Sequence, residues 1–230
     1  MTNHKNSELQ FERIVFFSDA VFAIAITLLI IEIKVPHIDH SAPDGEFWSE
    51  LWKLKWNFLG YFFSFFVIGA YWVGHHRIYG HIVRWDYGLI WRNVLFLMAI
   101  GFMPFSTAFF TEVFPPRFVP LTLYAATFSA AGLLQLWQWR YAVKKRLIDE
   151  DLNQTLVSYF SWRMISLPVV GVVAILIGLI NPWFSGMAFF MMPIVQKVIN
   201  SRFAMDANKM EVIEEEPESE TLLEDALPKN

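Results

Sequence analysis

With 230 residues, of which 55% are hydrophobic and 17% aromatic, and a formal net charge of -4, the chain is too apolar for an ordinary soluble domain and reads as a membrane protein. It has no cysteine, which excludes a disulfide framework and thiolate-bound metal. Its basic residues are sparse and sit beside apolar segments, which argues against a nucleic-acid binder.

A helix crosses the hydrocarbon core with about 20 mostly apolar residues, and the chain offers six such windows in succession. The first, 13–34, begins RIVFFSDAVFAIAITLLI. It is too long for a signal-peptide core and carries Ser18 and Asp19 inside, so it is expected to be retained as a span. A loop with Glu32, Asp39, Asp44, Glu46 and Glu50 follows, whose acids would attract cations or simply solvate the loop. The second window, 55–74, leads into SFFVIGAYWVGHHRIY, with Ser64, His75 and His76. The third, 89–111, opens LIWRNVLFLMAIGFMPF and brings Asn93. Windows at 118–143 and 160–180 come next. The sixth, 182–199, has a short oily part, WFSGMAFFMMPIV, which could equally lie re-entrant. From 205 to 230 the chain turns acidic, with Asp206, Glu211, Glu214, Glu215, Glu216, Glu218, Glu220, Glu224 and Asp225 against Lys209 and Lys229. That composition predicts a disordered tail.

These windows predict an all-α polytopic membrane protein, with a six-helix domain over 1–204 and a tail over 205–230. Orientation follows from the positive-inside rule. With the N-terminus inside, Lys5, Arg13, Arg77, Arg84, Arg92, Arg140, Lys144, Lys145, Arg146, Arg163, Lys197, Arg202, Lys209 and Lys229 gather on the cytoplasmic side, against Lys34, Lys53, Lys55 and Arg117 outside. Both termini are then cytoplasmic. Tryptophans 48, 52, 56, 85, 91, 137, 139 and 183 fall near span ends, as interface anchors do.

On a helical projection at 100° per residue, Arg13, Phe17, Ala20, Ile24, Thr27, Leu28 and Ile31 fall within about 60° of Ile24 and form one stripe. Ser18 and Asp19 lie to either side, so they point toward neighbouring helices. Ionisable residues within a span are costly and face the protein interior. Asp19 is therefore expected in a buried polar network whose candidate partners are Ser64, His75, His76 and Asn93, while Arg13 either joins it or snorkels to the interface. A metal site is not expected. His75 and His76 are on different helix faces and no ligand set completes them. Nor does a nucleophile–base pair stand out, so an enzyme is not expected either. A secondary transporter or a non-conducting membrane scaffold are the rival readings, although neither two related halves nor broken midplane helices are evident.

The opening Arg13-x-x-x-Phe17-Ser18-Asp19 resembles the signature motif of the transmembrane protein 175 family of potassium channels. YWVGHHRIY followed by LIWRNVLFLMAIGFMPF is similar to the second and third spans of its prokaryotic members. The resemblance is specific over the first three spans and extends further only in hydropathy and span count. It implies a potassium-permeable cation channel without a glycine-rich carbonyl filter, needing no cofactor beyond the permeant ion. It further implies a single-repeat homotetramer in the cell membrane whose first helices line the pore. By the same resemblance Ile24 would form the constriction, Thr27 would sit at the position linked to potassium preference, and Leu28 or Ile31 would form the next aliphatic layer. The motif residues would lock the pore helix onto the second and third spans.

Overall fold

The computed structural model describes residues 2–39, 41–113 and 116–215. Eight helices follow one another: α1 (Thr2–Ile31), α2 (Asp44–Lys53), α3 (Lys55–Tyr79), α4 (Tyr87–Glu112), α5 (Phe118–Lys144), α6 (Gln154–Ile180), α7 (Pro182–Phe190) and α8 (Met192–Glu215). Among the described residues no strand forms; a lone antiparallel bridge joins Ile82 to Ile148. Five stretches are long and apolar enough to cross a membrane: Leu9–Ile31, Lys55–Tyr79, Tyr87–Glu112, Phe118–Lys144 and Gln154–Ile180. The all-α, multi-pass architecture read from hydropathy is thus what the chain adopts, because lipid leaves backbone polar groups no partner but their own helix.

The sixth expected span, 182–199, is not one helix. α7 stops at Phe190 and α8 begins at Met192. Pro193 is the physical reason: it has no N–H to offer the carbonyl one turn back, so an uninterrupted helix would lose a hydrogen bond and gain a clash there. Met191 instead closes a tighter turn by donating to the Ala188 carbonyl (3.2 Å), and Val195 restarts the α-pattern on Met191 (3.0 Å). At the far end, α8 runs to Glu215, overlapping the segment expected as a tail; residues 216–230 lie outside the described residues. A helix the hydropathy windows passed over is α2, which buries none of its side chains and leaves Trp48 and Trp52 exposed. Asp44 and Glu46 in its first turn and Lys53 in its last complement the helix dipole.

α5 is the central post. It packs along α4 on one side and α6 on the other, and small residues make the second contact close. A Cβ on Gly171 of α6 would lie 2.1 Å from Ser129 Oγ and 3.0 Å from the Ala125 carbonyl. Ser129 and Ala125 are themselves buried in α5, and a backbone carbonyl cannot step aside. Gly171→Ala is therefore expected to cost about 1–3 kcal/mol through overpacking. A lowered melting midpoint of the purified protein would register it, and an unchanged midpoint would contradict this account of the α5–α6 crossing.

Two apolar cores result. The larger spans the membrane-embedded middle, with Phe22, Ile68, Phe96, Ile100, Met103, Tyr124 and Phe128. The smaller, around Ile78, Leu89, Trp139 and Phe160, sits at the end of the bundle where the lysines and arginines cluster. Here the α3–α4 and α5–α6 connections are stitched together. Val83 N and Arg84 N both donate to the Leu147 carbonyl (2.9 and 3.0 Å), and Asp149 N donates to the His81 carbonyl (3.0 Å). α4 and α6 each contain a proline, Pro104 and Pro168, whereas α1 contains neither proline nor glycine over its 30 residues.

Candidate functional site

α1 has two sharply different faces. Ser18, Phe22, Ala25 and Leu29 recur at three- and four-residue spacing and are buried against α3 and α4. Around the opposite side, Arg13, Phe17, Ala20, Ile24, Thr27, Leu28 and Ile31 are all exposed in the single chain, Ile24 at 58%. Phe16, Ala23 and Ile30 extend that uncovered surface. A helix with one face sunk into its own bundle and an aliphatic stripe left open is built to meet something outside the chain.

The buried face is fastened by a polar cluster centred on Asn93 of α4, itself 1% exposed. Its direction can be worked out atom by atom. Ser18 Oγ, fully buried, donates its proton to the Ile14 carbonyl (2.9 Å). The Ser18 oxygen must then accept, so the amide nitrogen of Asn93 is the group that donates to it (2.9 Å). Asn93 Oδ1 therefore faces the other way. There it accepts from His75 Nε2 (3.0 Å), which fixes the proton on that nitrogen, and from Gln138 Nε2 (3.3 Å). Gln138 Nε2 also donates to the Tyr79 hydroxyl (2.6 Å). His75 is clamped by rings, stacked on Tyr79 at 4.1 Å and Phe96 at 5.8 Å and tilted against Phe22 at 5.7 Å. One asparagine thus joins α1, α3, α4 and α5 in a medium where an unpaired polar group is expensive.

Asp19, expected in a buried network, is only half-buried and takes a different partner. Its Oδ1 accepts from the indole N–H of Trp72 on α3 (2.8 Å), and Trp72 in turn stacks on His76 at 5.7 Å. Of the four candidate partners named from sequence, the structure brings Asn93 and His75 to Ser18, and His76 to Trp72, beside Asp19. Ser64 does not belong to this group. Eleven positions separate it from His75, about 16 Å at 1.5 Å per residue along α3. Its hydroxyl lies instead within hydrogen-bond distance of the Tyr124 hydroxyl (2.8 Å) and of Thr107 Oγ1 (2.9 Å), a second polar tie deeper in the bundle. Arg13 lies exposed one turn before Phe17. Gln138, Tyr79 and Trp72 escaped the sequence reading. Only Gln138 left a signal, an amide inside the apolar run LLQLWQWRY.

On the open face, the Thr27 hydroxyl lies 2.9 Å from both the Ala23 and Ile24 carbonyls. Its proton is thereby committed to the helix, and its exposed oxygen keeps lone pairs for a cation. Beyond the helix end, Asp39 Oδ1 accepts from the Ser41 N–H (2.9 Å) and hydroxyl (2.8 Å), and the two bonds hold its carboxyl below the usual range. Among the described residues no cluster of three or more potential metal ligands occurs.

Comparison with known proteins bears on this arrangement. Residues 13–104 match the family model for the endosomal/lysosomal potassium channel TMEM175, the stretch that carries the motif, α3 and most of α4. A potassium channel of Chamaesiphon minutus is 35% identical over 176 residues, covering 75% of this chain and 86% of that protein. One from Streptomyces collinus is 44% identical over 100 residues, 44% of this chain and 47% of that protein. A crystal structure described as a lysosomal potassium-selective channel TMEM175 homolog from Chamaesiphon minutus superposes with a TM-score of 0.70 at 33% identity. That superposition spans 83% of this chain and 98% of the crystallised one.

Proposed function

Because the chain belongs to the TMEM175 family of potassium channels and is a multi-pass membrane protein, we propose that it forms a cell-membrane pore whose wall is α1. Four copies each contribute one helix. The reading rests on one observation: the motif-bearing helix is locked along one face and uncovered along the other. Both termini lie in the cytoplasm, on the side where the basic residues collect.

In this pore a ring of four Ile24 side chains forms the constriction, and Leu28 and Ile31 form further aliphatic layers toward the outside. Isoleucine offers an ion no hydrogen bond or coordinating oxygen, and stripping water from a charge is costly. A narrow ring therefore dries and blocks; a slightly wider one fills with water and conducts. Thr27 oxygens, one turn away, supply the nearest polar replacement for lost hydration. Preference for potassium over sodium is modest, since potassium gives up its water more readily and no rigid cage of carbonyls surrounds the path.

The test is a planar-bilayer recording of the purified chain with potassium on one side and sodium on the other. A reversal potential displaced toward the potassium equilibrium value is expected for the wild type. Thr27→Val, which keeps the shape but removes the oxygen, is expected to move that potential toward zero. No current at all, or a Thr27→Val reversal potential equal to wild type, would count against the pore or against the role of Thr27, respectively.

A further inference from the structure

A cavity of about 400 Å³ lies outside the α1 site, between α3, α5, α6 and the α7–α8 break. One face of α3 walls it from end to end. Phe63, Phe66, Ala70, Gly74 and Arg77 follow each other at three- and four-residue intervals. From Phe63 to Arg77 is about 21 Å at 1.5 Å per residue. The cavity is polarised along that length: aromatic at the Phe63 end, where Phe189 joins it, and cationic at the other, where Arg77 and Arg163 of α6 both line it.

The cationic end is uncompensated. No aspartate or glutamate lines the cavity among the described residues. Among the described residues Arg163 is held by neutral oxygens, the Tyr159 hydroxyl (3.0 Å) and Asn200 Oδ1 (3.1 Å). A polar atom there is also left over. Ser166 Oγ donates to the Arg163 carbonyl (2.7 Å), so it must accept from Gln196 Nε2 (2.8 Å). That fixes the amide and leaves the buried Gln196 Oε1 with no hydrogen-bond partner among the described residues. Gly74, by lacking a side chain, keeps the middle of the slot open.

We infer that this cavity is a binding site for an anionic phospholipid of the leaflet on the basic side. One acyl chain lies along α3 toward Phe63 and Phe189, and the phosphate is held by Arg77 and Arg163. Ligand sites of roughly 300–1,000 Å³ are usual; this one takes one chain, with the rest of the lipid remaining at the bilayer edge. Basic pockets between spans on the cytoplasmic side suit phospholipid headgroups, at about 1 kcal/mol per cation. A glycerol headgroup carries hydroxyls that match the unsatisfied Gln196 oxygen.

Native mass spectrometry of the full-length chain, purified in mild detergent and supplied with phosphatidylglycerol or phosphatidylcholine, tests this without reference to conduction. Retention of phosphatidylglycerol, saturating at one per chain, is expected, with phosphatidylcholine washing off and soluble glycerol phosphate failing to compete. Arg77→Gln, at an exposed side chain, is expected to weaken retention about fivefold, the equivalent of about 1 kcal/mol. Gly74→Leu is expected to abolish it by filling the slot. Equal retention of both lipids, or retention untouched by Arg77→Gln, would overturn the site. So would a structure of the assembly with a second copy seated in the cavity.

Discussion

Ile24→Asn is expected to raise unitary potassium current by about tenfold, because a dehydration barrier lower by about 1.4 kcal/mol is worth that factor in rate. Asparagine has as many side-chain heavy atoms as isoleucine but less bulk, so the constriction does not narrow. In the proposed tetramer each of four side chains then offers an amide to water and ion, and the dry ring becomes wettable. The same substitution should flatten discrimination, since an ion that keeps its water through the ring is no longer sorted by the cost of losing it. Ile24 is exposed in the single chain, so the change disturbs none of the chain's own core. Recordings under bi-ionic conditions read both quantities at once. Currents and reversal potential identical to wild type would remove Ile24 from the conduction path.

Asn93→Leu is expected to have a large structural effect. It cuts the bonds to Ser18, His75 and Gln138 together. Interhelical hydrogen bonds in membranes are worth about 0.6 to 1.7 kcal/mol each, so three amount to about 2–5 kcal/mol. That is a large fraction of the roughly 5–15 kcal/mol by which a domain is folded. Ser18→Ala, losing one of the three, serves as the graded comparison. We expect Asn93→Leu to elute as aggregate in size-exclusion chromatography and Ser18→Ala to remain monodisperse with a lowered melting midpoint. Were Asn93→Leu to melt like wild type, the cluster would have to be incidental to holding α1 in place.

Much of α1 was legible beforehand because a helix repeats every 3.6 residues. Once Ile24 is placed on one side, Ser18 must fall well away from it, whatever the rest of the fold does. The pairing of Ser18 with Asn93 and His75 was within reach for a related reason: polar groups in apolar spans have few partners, and those near the same end meet. The rule failed for Ser64, since sharing an end of the molecule is coarser than the 1.5 Å rise that separates one turn from the next. Trp72 and Tyr79 were invisible because aromatic residues fill spans and belts for many reasons. That Trp72 would spend its N–H on Asp19 depends on how α1 and α3 cross, which no local pattern encodes. The division of the last window at Met191 was half-written in Pro193, but hydropathy averages straight over a proline. α2 was missed because ten residues with two tryptophans, three acids and a lysine read as an interfacial loop until the chain is seen to coil there.

The absence of proline and glycine from α1 limits how the channel can open. Kinks form at such residues or where something intrudes into the backbone ladder, and α4 and α6 have them while α1 does not. For a tilt of the proposed pore helix with its fulcrum at the Ser18 fastening, α1 moves as a stiff rod and carries along the α3 and α4 surfaces that bury Phe22, Ala25 and Leu29. By rise alone Ile24 stands about 9 Å from that fulcrum and Ile31 about 20 Å. A swing of about 5° carries Ile24 sideways by about 0.8 Å and Ile31 by about 1.7 Å. Every aliphatic layer of the proposed pore then shifts in proportion to its arm length, and none can widen while its neighbours stay still.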